Sequence, residues 1–230
     1  DINFFSIIIF KIINFFYKIK IICINNDIAR KLKIKNYKVH LPNIDTIFWS
    51  RKKTISKPNK KITISLVGNI NKTKNYKQFL NFFENIQGPI KINIIGEILK
   101  NQLNYYNNLK NLKIFLKRKL VKIVFHGRKN EKFIKKILNE TDIYFLPSIS
   151  EGTSISLIQA MSMGSICAVS KGSNKSRIIK NNKNGFVFDL NYNSFEKTYN
   201  KILLMDNFLR RKISKNARNT VLKINKKFIL

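Results

Sequence analysis

Apolar runs of strand length alternate with stretches of helical period along most of this chain, and that alternation constrains the fold more than any other feature. The runs lie at 19–25, 37–42, 62–68, 90–96, 122–127, 142–147, 165–170 and 185–190, each closed by turn residues. Between them, 75–86, 99–116, 131–140, 154–163 and 175–181 carry apolar residues at helical spacing. Strict strand–helix alternation implies an α/β protein with a parallel sheet covered by helices on both faces. In such a sheet a ligand binds beyond the C-terminal ends of the strands, near the point where strand order reverses.

Length and punctuation set the domain plan. A chain of 230 residues holds one good-sized domain, or one domain and part of another. The alternation breaks at 48–61, where Arg51, Lys52, Lys53, Lys57, Pro58, Asn59, Lys60 and Lys61 form a charged stretch that reads as an interdomain linker. The expected division is therefore an α/β remnant over 1–50, a linker over 51–61, a complete α/β domain over 62–191 and terminal helices over 192–230. In the tail, Leu203, Leu204, Phe208, Leu209, Ile213, Ala217, Val221 and Leu222 stand at helical spacings, as two helices that pack back across the domain boundary. The first residue is Asp1 and not Met, so a piece of a longer protein is expected.

The charge is extreme. Its 45 Lys and Arg against 12 Asp and Glu give a formal net charge of +33 at pH 7. Taken alone, that points to nucleic acid or an anionic membrane. Arginine stands only at 30, 51, 118, 128, 177, 210, 211 and 218, and lysine supplies the rest. Lys, Ile and Asn are the amino acids of AT-rich codons, and base composition supplies such a charge without selection for binding. The lysines are spread over nearly every segment and form no basic stripe with aromatic interleaving, so no specific nucleic-acid partner is expected.

Residues 4–17 are very apolar, interrupted by Lys11 and Asn14 and followed by Lys18 and Lys20. The run falls short of the roughly 20 apolar residues that span a bilayer and has no small-residue cleavage site. Two readings stand: a buried helix of a larger domain, or a basic-apolar helix lying on a membrane surface. Cys23 and Cys167 sit inside apolar runs and read as buried, reduced thiols, which fits a reducing compartment.

One segment carries chemistry. Ser148-Ile149-Ser150-Glu151-Gly152-Thr153-Ser154 follows the apolar run 142–147 and leads into an amphipathic stretch ending at Gly164. The order is strand, small polar loop with a carboxylate, helix, glycine stop, strand. It aims a helix N-terminus and one acid at whatever lies above the sheet, and such N–H groups favour an anion.

Those residues resemble a known signature. Ser148-x-x-Glu151-Gly152, followed by Gln159-Ala160-Met161-x-x-Gly164, is similar to the P-S-x-x-E-G…E-A-M-A-x-G motif (E-x7-E) of GT-B-fold retaining glycosyltransferases of family 4. Weaker matches follow the same order: 41–45 resembles P-N-G-V-D, 67–75 resembles G-R-L-x-x-x-K-G, 125–127 resembles F-x-G, 184–187 resembles N-G-F-V, and 207–218 resembles the last helix region. The likeness covers roughly 20–225. It implies Rossmann-like domains, with a nucleotide diphosphate sugar held by the C-terminal one and no other cofactor or metal. Lys74 would meet the donor diphosphate, and Glu151 would accept hydrogen bonds from the sugar hydroxyls. The backbone of Thr153, Ser154 and Ile155 would cradle phosphate, with Gly152 and Gly68 allowing close approach. Asn69 falls at the diphosphate position, Arg128 near the nucleobase, and Gln159 at the ribose.

The chain departs from the signature at several places. Gln159 replaces the second glutamate and brings no charge. Asn69 replaces an arginine fork, with Lys72 as a neighbouring substitute. Ser173-Asn174-Lys175-Ser176-Arg177 replaces G-G-x-P-E, and Ser165 replaces a proline. His40 and His126, both in strand runs, read as packed or surface histidines. The resulting expectation is the donor-binding portion of a retaining glycosyltransferase acting on a glycan or lipid-linked acceptor in polysaccharide or glycolipid synthesis. It would be cytoplasmic, in peripheral contact with the inner face of an anionic membrane, and inactive as this piece alone. The alternative is a catalytically degenerate GT-B domain kept as a binding or scaffold module.

Overall fold

The computed structural model describes residues 21–23, 37–39, 41–51, 55, 56, 58 and 61–226. The run 4–17, His40, the Cys23 side chain and most of 52–60 lie outside the described residues.

β1 (Ile21–Cys23) and β2 (Tyr37–Val39) pair in parallel as a sheet of their own. A second sheet holds β3 (Ile62–Val67), β4 (Ile90–Ile95), β5 (Val121–Phe125), β6 (Ile143–Leu146), β7 (Ile166–Ser170) and β8 (Phe186–Phe188), all parallel. Its order is β5-β4-β3-β6-β7-β8. The chain enters at β3, works out to β5, then crosses to the far side of β3. The reversal point therefore lies between β3 and β6, where a ligand crevice opens in folds of this type.

Helices α1 (Tyr76–Asn81), α2 (Leu103–Lys117), α3 (Glu131–Asn139), α4 (Ile155–Ser162), α5 (Tyr192–Leu204) and α6 (Asn207–Lys226) cover the sheet. Alternate strand residues feed two separate cores, as the period-2 geometry of a strand requires. Ile64, Leu66, Phe145 and Ala168 pack with Phe79 of α1, Leu109 of α2 and Phe195 of α5. Val67, Tyr144, Leu146 and Cys167 pack on the other face with Leu138 of α3, Leu157 of α4, and Ala217 and Val221 of α6. Burial pushes the Cys167 thiol up, so it stays protonated and inert.

One expected helix is absent. Residues 175–181 form turns, not a helix. Asn side chains take the backbone partners that a helix would supply: Asn174 bonds both the N–H and the C=O of Ile179, and Asn184 Oδ1 accepts the Lys180 N–H at 2.7 Å. Arg177 then sits at a φ of 53°, outside the helical region. The apolar pair Ile178–Ile179 is buried, as the helical reading required, but by a loop that competes with helix through local side-chain bonds.

The 51–61 stretch is anchored at its start. Trp49 and Ile55 are buried in the cores of the six-stranded domain. Arg51 donates to the carbonyls of Leu138 and Thr141 and to Ser165 Oγ. The terminal helix grips the same region. Arg218 of α6 donates to the carbonyls of Trp49, Thr46 and Ser162, the last being the end of α4, and Asn225 donates to the carbonyl of Ile44. Arg218→Ala strips donors from these carbonyls. It is expected to lower the unfolding free energy by about 2 kcal/mol, read from a urea titration.

Candidate functional site

Two loops meet above the reversal point. The first follows β3. Gly68 adopts a φ of 151°, and a Cβ there would lie 2.8 Å from Lys74 Cε, so a larger residue would displace the end of that side chain. Its neighbour Gly96, at the end of β4, has the Gly68 carbonyl oxygen only 1.9 Å from where a Cβ would stand. A short turn over Lys72–Lys74 is capped by Asn71, whose Oδ1 accepts the Lys74 N–H at 2.9 Å. Asn75 then turns the chain through a left-handed conformation into α1. Buried Tyr76 donates its hydroxyl to the Gly68 carbonyl at 3.1 Å. Burial, followed by the nearby Tyr144, Tyr105 and Glu151, holds the Tyr76 phenol well above its ordinary range, so it remains a donor.

The second loop follows β6 and carries Glu151. Ile149 N–H donates to the Thr73 carbonyl at 2.9 Å, which stitches the two loops together. From the other side the β7 loop holds it. Glu151 N–H donates to the Gly172 carbonyl at 3.0 Å, and Ser170 and Ser173 hydroxyls donate to the Ser148 carbonyl. Gly172 is pressed against this loop: a Cβ would stand 1.9 Å from the Ile149 carbonyl oxygen.

The result is a charge pair at the crevice. Lys74 Nζ lies 2.7 Å from Glu151 Oε2, with side-chain exposures of 14% and 21%. Both groups can still be reached by a ligand. An ammonium has three donors, so Lys74 can keep Glu151 and also meet a phosphate oxygen.

Glu151 leads through Gly152 and Thr153 to α4, whose first residue is Ile155. Ser154 is the N-cap, in extended backbone, and its own side chain makes no capping hydrogen bond. Its first-turn N–H groups and the positive end of its dipole face the same crevice, an arrangement that accepts an anion.

The structure thus brings Gly68, Lys74, Glu151, Gly152, Thr153, Ser154 and Ile155 to one place. Gln159 is buried one helical turn below Ile155 on the same face. Asn69 and Lys72 are exposed on the β3 loop. Arg128 stands apart, past the end of β5 two strands from β3, and reaches Glu97 at 3.5 Å with both side chains exposed. His126 is packed: its Nε2 lies 3.0 Å from Asn93 Oδ1 and its ring lies against Phe133. Burial, then Lys91 and Lys129, lower its pKa. Among the described residues no three His, Cys, Asp or Glu side chains gather as a metal site would need.

Sequence reasoning passed over Tyr76, Gly96, Gly172, Tyr144 and Ser156. Each supports the site by a contact distant in sequence, for which the local pattern offers no signal.

The model of the glycosyl transferases group 1 family matches residues 48–220, more than half of the chain. The chain belongs to this family. Within it, this group 1 glycosyltransferase chain is 29% identical over 128 residues to the UDP-Gal:alpha-D-GlcNAc-diphosphoundecaprenol alpha-1,3-galactosyltransferase of Escherichia coli. That match covers 55% of the chain and 30% of the relative. A glycosyltransferase from Rickettsia africae superposes with a TM-score of 0.78 at 17% identity, over 91% of this chain and 62% of that one. Anabaena HepE, solved with UDP and glucose, gives 0.78 at 14% identity, over 98% and 66%. The C-terminal domain of a group 1 glycosyl transferase from Francisella tularensis gives 0.64 at 20%, over 79% and 97%. The group 1 chain therefore has the α/β fold of GT-B glycosyltransferases, as its signature residues implied.

Proposed function

We propose that the chain is the donor-binding part of a retaining glycosyltransferase. It would pass a sugar from a nucleotide diphosphate sugar to a glycan or lipid-linked acceptor, in cell-surface polysaccharide or glycolipid synthesis. The observation that carries this reading is the Lys74–Glu151 pair beside a helix N-terminus at the reversal point whose N-cap serine side chain does not cap it. Membership of the group 1 family and the likeness to a galactosyltransferase named for a lipid-linked substrate support it.

In this reading the donor diphosphate lies over the α4 N-terminus and against Lys74. Glu151 accepts hydrogen bonds from the donor sugar hydroxyls. The bond between the anomeric carbon and the phosphate oxygen breaks. The acceptor hydroxyl oxygen bonds to that carbon on the same face, and its proton passes to the departing phosphate oxygen. Negative charge grows on the diphosphate as the bond breaks, where Lys74 and the helix N–H groups stabilise it most. No base is required from this half. The donor needs no further cofactor, and Arg128 borders the region of the nucleobase. Residues 1–50 come from the acceptor-side domain and end with Trp49 seated in the donor domain, 51–61 bridge to the donor domain over 62–191, and the helices over 192–230 close back on it.

No helix among the described residues is long and apolar enough to cross a membrane. A cytoplasmic protein with peripheral contact at an anionic membrane surface fits a lipid-linked acceptor.

A second reading, a degenerate donor-binding module, is favoured by Gln159, Asn69 and Arg177. Gln159→Glu separates the two. A carboxylate there makes a charge-assisted bond to ribose hydroxyls, and donor affinity is expected to rise about fivefold in calorimetry together with faster transfer. A rise in affinity without any transfer by the complete protein supports the module.

A further inference from the structure

The N-cap of α4 is turned away from its ordinary work. Serine at an N-cap accepts the N–H of the second or third helical residue with its hydroxyl oxygen. Ser154 does not. Its Oγ lies 2.9 Å from the Oγ of Ser156, which in turn lies 2.8 Å from the hydroxyl of Tyr144. Ser156 Oγ also donates to the Val67 carbonyl at 2.9 Å, at the last residue before Gly68.

The proton directions follow from the inventory of a hydroxyl, which has one donor and two acceptor positions. A carbonyl can only accept, so the single Ser156 proton is committed to Val67. Ser156 must then accept from both neighbours, and Tyr144 and Ser154 each donate to it. Tyr144 is fully buried, and burial holds its phenol well above its ordinary range, so it keeps its proton. Ser156 is saturated. The Ser154 hydroxyl is held toward Ser156, with the Tyr144 hydroxyl also within its reach, and makes no bond to the first-turn N–H groups.

We infer that Ser156 is a positioning residue that reserves the α4 N-terminus for an external anion. It ties the end of β3 to the start of α4 and restrains the N-cap side chain of that helix. The inference rests on the donor-diphosphate reading above only for the identity of the anion. The restraint on Ser154 is a property of the empty protein.

The test uses the full chain with four variants: Ser156→Ala, Ser154→Ala, the double variant and Ser156→Cys, which keeps the volume but accepts weakly. Two measurements are made on each. Amide exchange by NMR in the empty protein reads the cap. Ser156→Ala and Ser156→Cys are expected to gain protection at the amides of residues 156 and 157, as the released Ser154 hydroxyl caps the helix, and Ser154→Ala is not. Calorimetry with UDP and with GDP reads the anion. Ser156→Ala is expected to weaken the better of the two by about tenfold. The double variant is expected to recover most of that loss, because no hydroxyl remains to compete. A purely structural serine gives the reverse: no new protection, and a double variant at least as weak as Ser156→Ala. Either result overturns the inference, and Ser156→Cys supplies the exchange readout should the alanine variant fail to fold. Wild-type protein that binds neither nucleotide sinks the donor reading, while the exchange pattern still decides the role of Ser156.

Discussion

Glu151→Ala in the complete protein is expected to lower sugar transfer by about two to three orders of magnitude, and Lys74→Ala to do the same by a different route. The size is that of a preorganised electrostatic group removed from a site where charge develops. The pair is held at 2.7 Å by three backbone N–H groups: Lys74 on the Asn71 side chain within the β3 loop, Ile149 on the Thr73 carbonyl across to that loop, and Glu151 on the Gly172 carbonyl of the β7 loop. Neither side chain carries the fold. An ion pair this close to solvent contributes about 1 kcal/mol, so urea midpoints should move little. The two variants part in their kinetics. Lys74 meets diphosphate charge that is present in the bound donor and grows in the transition state, so its loss weakens donor binding and lowers kcat further. Glu151 acts on sugar hydroxyls present to the same degree in both states, so its loss falls mainly on KM. Stability falling in step with activity marks the pair as structural.

The second large effect is steric. Gly172→Ala places a methyl group 1.9 Å from the Ile149 carbonyl oxygen, and Gly96→Ala places one at the same distance from the Gly68 carbonyl oxygen. Both contacts are with backbone, which cannot rotate away. Overpacking of this kind costs about 3 kcal/mol and is relieved only by moving a loop. Gly172→Ala pushes the Glu151 loop off β7, and Gly96→Ala pushes the Gly68 loop off β4. Each is therefore expected to lose both thermal stability and donor binding, in contrast to the charge variants. Gly88→Ala is the control for added bulk, since nothing lies within 4 Å of its Cβ position, although its φ of 135° adds local strain.

Much of the fold is legible in the sequence because the strands are buried on both faces. A parallel strand between helix layers must be apolar throughout, and the six runs from 62 to 190 all appear as strands of one sheet. The turn chemistry at their ends marks the loops, so the sequence alone places Lys74 and Glu151 on the same side of the sheet. Local pattern fails where side chains replace backbone partners. At 175–181 the apolar pair Ile178–Ile179 has helical neighbours in sequence, but Asn174 and Asn184 hold the chain as a loop. Composition misleads at Arg51 as well. A charged residue at the start of a basic stretch has its guanidinium largely buried against two carbonyls, and burial lowers its pKa. The hydroxyl chain of Tyr144, Ser156 and Ser154 joins β6, α4 and β3, and nothing in the spacing of those residues announces it.

In the proposed reading Lys74, Glu151 and the N-terminus of α4 form one donor site. Titration of the full chain with UDP- and GDP-sugars by calorimetry tests it most directly. One donor site predicts saturable binding of one nucleotide class, severely weakened by Lys74→Ala and unchanged by Lys201→Ala, an exposed position on α5, to within about twofold. Absence of heat with every nucleotide sugar, or binding that survives Lys74→Ala undiminished, contradicts it.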